Sequence, residues 1–280
     1  MQVYLNGELI PAEQAVVPVN DRGFVFADGV YEVARVYDGR IFKMPEHLRR
    51  LADGLAAIRI ELPDIEGLTG IAEQLLEAND LRADGATVYI QVTRGVAPRK
   101  HAFPQGVKPT VFLAVNPYTE PPLEYWTDGV AAIRYPDIRW ARCDIKSVSL
   151  LANVLANEAA HAAGGFEALF VRDGVVIEGS HSNFAAVYDG TVVTYPLCNF
   201  ILPGITRAAV LGLARDLGIP VREGPVYDHE LFDAAELFLL GTTTEVMPIV
   251  RVDGRTIGNG RPGPVTQRLI QAYHELSRGK

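Results

Sequence analysis

One lysine stands apart as a candidate for covalent chemistry. The chain holds only five lysines against 21 arginines, and Lys146 is the only lysine between Lys108 and Lys280. It follows the apolar Ile145 and precedes a helical pattern that begins near Ser147. Desolvation and the positive end of a helix dipole both favour a neutral amine, and only a neutral amine attacks a carbonyl. The position fits a Schiff-base lysine, and it also fits a surface lysine that precedes a helix.

Two segments have the composition of an anion site. Residues 202–207 (LPGITR) open a helical pattern, where backbone N–H groups, a glycine and a threonine hydroxyl can cradle a phosphate. Residues 241–245 (GTTTE) end an apolar run, and their hydroxyls could serve the same phosphate. Each segment also has a structural explanation, namely a threonine-capped helix entry for the first and a turn for the second.

A carboxylate, Glu178, ends the apolar strand pattern that begins at Val175. An acid at such a position is unusual unless it is paired. In a pyridoxal phosphate enzyme, an acid against the pyridine nitrogen keeps that nitrogen protonated, so that the ring accepts the electrons of a carbanion. The alternative is a glutamate at the end of a strand that points into water.

Short helices and hairpins must position these residues. Apolar periodicity predicts helices over residues 46–58, 65–78, 147–163, 206–217 and 265–276. Five dipeptides between strand-like runs predict two-residue hairpin turns: Asn6-Gly7, Asp38-Gly39, Asp173-Gly174, Asp189-Gly190 and Asp253-Gly254. This mixture is typical of an α+β or mixed α/β fold and not of a strictly alternating parallel sheet.

A proline-rich break divides the chain. Pro117, Pro121 and Pro122 interrupt both helix and strand. We therefore predict a small N-terminal α/β domain over residues 1–117 and a linker over 118–124. Residues 125–280 would form a larger cofactor-binding domain, rich in antiparallel hairpins.

Composition excludes several classes of protein. The formal net charge of −8 is unsuited to a nucleic-acid phosphate binder. No apolar run approaches the ~18 residues of a membrane span. The two cysteines and six histidines show no metal-type spacing. We expect a cytoplasmic protein without metal, nucleic-acid or membrane partners.

Five segments in order resemble the fold-type IV pyridoxal phosphate aminotransferases: residues 46–51 (EHLRRL), Lys146, residues 178–180 (EGS), residues 202–207 and residues 241–245. The resemblance covers essentially the whole chain. It implies that Lys146 forms a Schiff base with pyridoxal 5'-phosphate, while Glu178 meets the pyridine nitrogen and Leu202 packs against the ring. It also implies that four residues hold the phosphate: Arg50, Ile205, Thr206 and Thr242.

The substrate side resembles the D-amino-acid branch of that family. Residues 95–101 (GVAPRKH) are similar to its Arg-x-His loop. The resemblance implies that Arg99 and His101 reach across a homodimer and, with Tyr31, bind the substrate α-carboxylate, to which a guanidinium offers a planar fork. The implied reaction is ping-pong transamination of D-amino acids, with D-alanine and 2-oxoglutarate giving pyruvate and D-glutamate.

One departure and three alternatives accompany this interpretation. His181 stands where many relatives have a serine, which affects contacts near Glu178. The nearest alternative is a branched-chain L-amino-acid aminotransferase. An aminodeoxychorismate lyase is a second, and a non-catalytic relative that keeps the cofactor-binding fold is a third. The presence of both Lys146 and Glu178 argues against the third.

Overall fold

The computed structural model describes residues 1–82 and 85–279, and Ala83, Asp84 and Lys280 lie outside the described residues. Its contacts separate two compact units. The first comprises Met1–Thr119 with Ile145–Ser149, and the second comprises Glu120–Asp144 with Leu150–Lys280. The domain limits given above stay a prediction. The contacts add that the short segment around Lys146 belongs to the first unit.

The first unit is built on a six-stranded antiparallel sheet. Its strands are β1 (Gln2–Leu5), β2 (Glu8–Pro11), β3 (Gly29–Tyr37), β4 (Arg40–Ile41), β5 (Ala86–Thr93) and β6 (Thr110–Pro117), in the order β2-β1-β6-β5-β3-β4. Its helices are α1 (Arg22–Phe26), α2 (Met44–Ala57) and α3 (Leu68–Ala78). The apolar stripes of α2 and α3, represented by Leu51 and Leu75, are buried against sheet residues such as Val88 and Leu113.

The second unit contains a ten-stranded mixed sheet. Its strands are β7 (Val130–Pro136), β8 (Glu167–Arg172), β9 (Val175–Gly179), β10 (Asn183–Tyr188), β11 (Thr191–Thr194), β12 (Val221–Glu223), β13 (Val226–Tyr227), β14 (Glu236–Gly241), β15 (Glu245–Val252) and β16 (Arg255–Thr256). The order is β12-β11-β10-β14-β15-β7-β8-β9-β13, with β16 paired to β15. The helices are α4 (Glu124–Thr127), α5 (Leu151–Ala162), α6 (Ile205–Asp216) and α7 (Pro264–Arg278). Parallel pairing joins β7 to β8 and to β15, and β11 to β12, and the other strand pairs given for this sheet are antiparallel. Helices and sheets occur together in this unit, so the expected α+β or mixed α/β fold is confirmed.

All five predicted hairpin turns are confirmed. In each, the residues on either side of the dipeptide are paired across the hairpin, as Leu5 is with Glu8 in the first. Every first turn residue has a positive φ, from 47° at Asp38 to 51° at Asn6 and Asp173, and the following glycine is positive as well. Asn and Asp tolerate this conformation and glycine adopts it freely, which is why the dipeptide predicts a tight turn where strand-like runs flank it.

Two helices begin later than their apolar patterns predicted. The helix expected from residue 147 begins at Leu151, because Val148 N donates to Gly29 O at 3.1 Å and keeps this segment extended. The helix expected from residue 65 begins at Leu68, because the Asp64 carboxylate accepts a hydrogen bond from Gly67 N at 2.9 Å and forms a turn there. No helix in the described part of the chain is long and apolar enough to cross a membrane.

Candidate active site

Lys146 lies on an extended segment beside β3. Its carbonyl accepts a hydrogen bond from Tyr31 N at 2.9 Å, and its Nζ lies 4.2 Å from the centroid of the Tyr31 ring. Pairing with β3 therefore fixes these two predicted site residues next to each other. The prediction that Lys146 stands at the N-terminus of a helix is wrong, because α5 begins only at Leu151.

A buried charged cluster joins β3 to α2. The Glu32 carboxylate accepts from Arg50 Nε at 2.6 Å and Arg50 Nη2 at 2.8 Å, and its Oε2 lies 2.7 Å from His47 Nδ1. Burial favours the neutral acid, but Arg50 and then His47 outweigh it and lower the pKa of Glu32 to about 2. Burial lowers the pKa of His47, against the opposing effect of Glu32. Glu32 thereby fixes the Arg50 guanidinium in one orientation.

Arg99 and His101 extend from an exposed loop of the first unit. The Arg99 guanidinium carbon lies 5.0 Å from the centroid of the Phe26 ring, and the His101 ring lies 5.4 Å from the same centroid. The structure thus brings two of the three predicted carboxylate ligands to one aromatic ring. The third, Tyr31, contacts Lys146 and Tyr89.

In the second unit, Glu178 at the end of β9 is buried and fully partnered. One carboxylate oxygen is paired with Arg139 Nη1. The other accepts from Asn183 Nδ2 at 3.0 Å and from Leu202 N at 3.1 Å. Burial raises the pKa of Glu178 to about 7, against the opposing effects of Arg139 and of the Leu202 N–H. The interpretation of this glutamate as a solvated strand end is therefore wrong.

Arg139 is itself fixed by a second acid. Asp137, whose side chain is fully buried, accepts from Arg139 Nε at 2.8 Å and Nη2 at 2.9 Å, and from Arg172 Nε at 3.0 Å. Burial opposes the charge of Asp137, but the two guanidinium groups outweigh it and lower its pKa. The result is a chain of ion pairs that sets the direction of the Glu178 carboxyl.

The predicted anion segment begins α6. Gly204 is the N-cap residue of the helix, and it has no side chain with which to cap the first turn. A Cβ on Gly204 would lie 1.9 Å from Asn183 Oδ1, so only glycine permits this approach of the backbone to the residues around Glu178. Thr206 and Ile205 are buried in the first turn. Thr242, from the other predicted anion segment, lies in the turn between β14 and β15.

His181 has its own acidic partner. The Glu167 carboxylate, which is fully buried, lies 2.8 Å from His181 Nδ1 and accepts from His181 N at 2.6 Å. It also accepts from the Ser182 hydroxyl at 3.0 Å and 2.9 Å. Glu167 therefore holds the turn after Glu178, and the half-exposed His181 ring is anchored through one nitrogen.

Sequence reasoning assigned no role to several residues that contact Glu178 in the second unit or Arg50 in the first. Arg139, Asn183 and Asp137 surround Glu178, and Glu32 orients Arg50. The available signal was the Asp137-x-Arg139 pair directly after β7, since side chains two residues apart on extended chain share a face, where opposite charges can pair. Among the described residues, no group of three or more His, Cys, Asp or Glu side chains is placed to hold a metal ion.

Residues 29–252 match the family model described as amino-transferase class IV. The chain belongs to this aminotransferase family, whose cofactor is pyridoxal 5'-phosphate. Among its relatives, the D-alanine aminotransferase of Bacillus licheniformis is 43% identical over 97% of this chain and 95% of that protein. The D-alanine aminotransferase of Staphylococcus haemolyticus is 40% identical over 98% of this chain and 97% of that protein.

Solved structures of aminotransferases share the fold of this chain. The branched-chain amino acid aminotransferase of Escherichia coli has a TM-score of 0.92 at 30% identity, over 99% of this chain and 95% of that one. The branched-chain aminotransferase of the archaeon Thermoproteus uzoniensis, solved with norvaline, has a TM-score of 0.89 at 30% identity, over 100% of this chain and 95% of that one. The two-domain aminotransferase fold expected from the motifs is thereby confirmed.

Proposed function

We propose that this protein transaminates D-amino acids with pyridoxal 5'-phosphate, converting D-alanine and 2-oxoglutarate into pyruvate and D-glutamate. The observation that carries the proposal is that one loop presents an arginine and a histidine, Arg99 and His101, together at Phe26. Such a pair suits a substrate carboxylate. The D-alanine aminotransferases that match over nearly the whole chain support the same substrate class.

The residues present fit the cofactor. A buried carboxylate, Glu178, lies at the end of β9, and the N-terminus of α6 adjoins it through Leu202 N and Asn183. That helix start has no side-chain cap and carries the Thr206 hydroxyl, which is the chemistry of a phosphate cradle. We assign Ile205, Thr206, Thr242 and Arg50 to the phosphate and Leu202 to the ring.

When bound, pyridoxal phosphate supplies an aldehyde that condenses with amines and a ring that accepts the electron pair left by deprotonation. Lys146 Nζ would hold the cofactor and carry the proton taken from the substrate α-carbon. Tyr31, against Lys146, would limit the directions open to that amine. Glu178 would keep a positive charge on the pyridine nitrogen, with Arg139 fixing the orientation of its carboxyl.

Stereochemistry would follow from where the substrate carboxylate is held. With the carboxylate at Tyr31, Arg99 and His101, the α-hydrogen of a D-amino acid would face Lys146. A branched-chain L-amino-acid aminotransferase is the second candidate, because solved structures with that activity share the fold at a TM-score of 0.92. Faster turnover of L-leucine than of D-alanine would favour this second function.

We further propose a homodimer in which each loop serves the neighbouring subunit's site. Arg99 and His101 are exposed, as side chains presented to another subunit would be. One face of α5 supports a contact between subunits, since Leu151, Val154 and Leu155 are 73%, 59% and 48% exposed. Both cysteines are free, which supports our placing the protein in the reducing cytoplasm.

Mixed dimers test the catalytic and substrate assignments together. Lys146→Ala and Arg99→Ala should each lower turnover of D-alanine, Lys146→Ala to background and Arg99→Ala by about ten- to a hundredfold. Unfolding the two variants together and refolding them should restore activity to about a quarter of wild type, since half of the dimers are mixed and one of their two sites is intact.

The same experiment has two contradicting outcomes. If Lys146→Ala turns over D-alanine normally, the catalytic assignment is wrong. If the mixed preparation shows only the averaged activity of its parents, Arg99 does not act across the dimer. Wild-type protein refolded in the same way is the control for recovery.

A further inference from the structure

The loop that carries Arg99 and His101 is anchored by two buried arginines of the first unit. Arg22 and Arg94 are 4% and 8% exposed. Asp28 bridges them, since its Oδ2 accepts from Arg22 Nε at 2.7 Å and from Arg94 Nε at 2.8 Å. Because buried ion pairs contribute little net stability, their value here is that they define one geometry.

Both arginines also donate to backbone carbonyls, and Arg94 Nη2 makes a further bond to Asp28 Oδ1 at 2.9 Å. Arg22 Nη1 donates to Lys100 O at 2.6 Å, and that carbonyl belongs to the peptide bond that precedes His101. Arg94 donates to Ile58 O and Arg59 O at 2.7 Å and 2.9 Å. Arg22 thereby fixes the backbone between the two residues that we assign to the substrate carboxylate.

Phe26 acts on the side chains of the same two residues. Its ring lies 5.0 Å from the Arg99 guanidinium carbon and 5.4 Å from the His101 ring. Arg22 lies over this ring as well, at 4.8 Å. An aromatic face attracts a guanidinium, and such contact reduces the rotamers open to a long exposed side chain.

Contacts at both ends of α1 fix the position of Phe26. It is the last residue of α1, which ends because Ala27 adopts a left-handed conformation with φ of 55°. At the start of the same helix, the Asp21 carboxylate accepts from Gly23 N at 2.7 Å and from the Thr93 hydroxyl at 2.9 Å. Both ends of this short helix are thus fixed, and with them the ring.

We infer that Arg22 and Phe26 are positioning residues for the substrate carboxylate, Arg22 by holding the Lys100 carbonyl and Phe26 by orienting Arg99 and His101. This inference rests on the proposed function, since it refines the carboxylate site of that reaction. Neither residue needs to touch the substrate. Their contribution is to hold the Arg99 and His101 side chains in one arrangement before the substrate arrives.

The test is a half-reaction of the holoenzyme with D-alanine. The loss of the visible absorbance of the cofactor reports its progress. Phe26→Leu should raise the apparent dissociation constant for D-alanine about tenfold and change the limiting rate less than about twofold, because the contact serves binding and not chemistry. Phe26→Tyr keeps the ring and should restore wild-type binding. Phe24→Leu, in the same helix at a residue that is 78% exposed, is the matched control and should behave as wild type.

A double-mutant cycle separates positioning from a general structural role. In an Arg99→Ala background, Phe26→Leu should change the dissociation constant by less than about threefold, because one of the two side chains it orients is gone. An undiminished tenfold effect in that background, or wild-type binding by Phe26→Leu alone, would overturn the inference. Wild-type holoenzyme that does not react with D-alanine would instead refute the proposed function.

Discussion

Helices α6 and α7 both begin after a glycine, yet the backbone N–H groups of their first turns differ in their acceptors. At α7, the Glu236 carboxylate accepts from Val265 N at 3.0 Å and from Thr266 N at 2.7 Å. At α6, the helix start follows Gly204, and in the described part of the chain no carboxylate is seen to accept from its first-turn N–H groups. The second unit therefore holds one helix start that is satisfied by the protein's own carboxylate and one that is not.

We interpret the difference as one between a helix start that stabilises the fold and a helix start that binds the cofactor phosphate. Backbone N–H groups at a helix N-terminus attract an anion. A carboxylate of the same chain is permanently present at α7 and contributes to folding. At α6 we assign that place to the cofactor phosphate, so its contribution appears only on binding.

Giving α6 a carboxylate of its own should have the largest effect. Thr206→Glu should weaken binding of pyridoxal phosphate by apoprotein at least about 100-fold, because the new charge occupies the turn and repels the phosphate. Absorbance titration measures the affinity. Thr206 is buried, so Thr206→Val, which exchanges the hydroxyl for a methyl group, is the second variant and should bind about tenfold more weakly.

Thr206→Ser retains the hydroxyl and is the matched control. It should bind the cofactor within about threefold of wild type. Wild-type affinity in Thr206→Glu and Thr206→Val alike would show that α6 does not bind the phosphate.

Removing the carboxylate from α7 should lower the stability of the protein and leave its cofactor affinity unchanged, the reverse of what we expect at α6. Glu236→Ala leaves two first-turn N–H groups without their acceptor and should lower the free energy of unfolding by about 2 kcal/mol. Urea denaturation of the apoprotein measures this loss, and cofactor affinity should stay within about twofold of wild type. A variant with normal stability and weakened cofactor binding would invalidate the comparison.

A pH-dependent effect distinguishes Glu178, next to α6. Burial raises its pKa to about 7, whereas an unfolded chain releases the same proton near the ordinary value of 4.5. Glu178 therefore contributes stability to the apoprotein that is fully present below about pH 4.5 and is lost as the pH rises through about 7, by at most about 1.4 kcal/mol per pH unit.

Glu178→Gln should remove this part of the pH dependence. The measurement is the free energy of unfolding of both apoproteins at several pH values between about 5 and 8, and the difference between them is the quantity of interest. Parallel curves for the two proteins would contradict the assignment. Arg139 and the Leu202 N–H remain in both, so their effects cancel in first approximation.

Local chemistry made part of the fold predictable. The five hairpin turns follow from two residues each, since Asp or Asn followed by Gly adopts the required positive φ angles wherever it lies between strands. The helices with clear apolar stripes, such as α2 and α7, were also found within a few residues of their ends. Motif order gave the family, because several short segments kept their spacing along the chain.

Contacts between distant parts of the sequence were not predictable. Lys146 was expected at a helix start, but its carbonyl accepts from the backbone of Tyr31, over a hundred residues earlier, and nothing near it in sequence reveals that pairing. Arg139 meets Glu178 across 39 residues. The chain holds 26 basic and 34 acidic residues, so composition alone cannot say which two form the buried pair.

The central claim is that Lys146 carries the cofactor and reacts with D-amino acids. The most direct measurement is a single-turnover reaction of wild-type holoenzyme with D-alanine, and separately with L-leucine, in the absence of any 2-oxo acid. The account predicts that D-alanine bleaches the visible absorbance and releases one pyruvate per subunit, while L-leucine reacts far more slowly. A protein that takes up no pyridoxal phosphate, or one bleached by L-leucine and not by D-alanine, would contradict it.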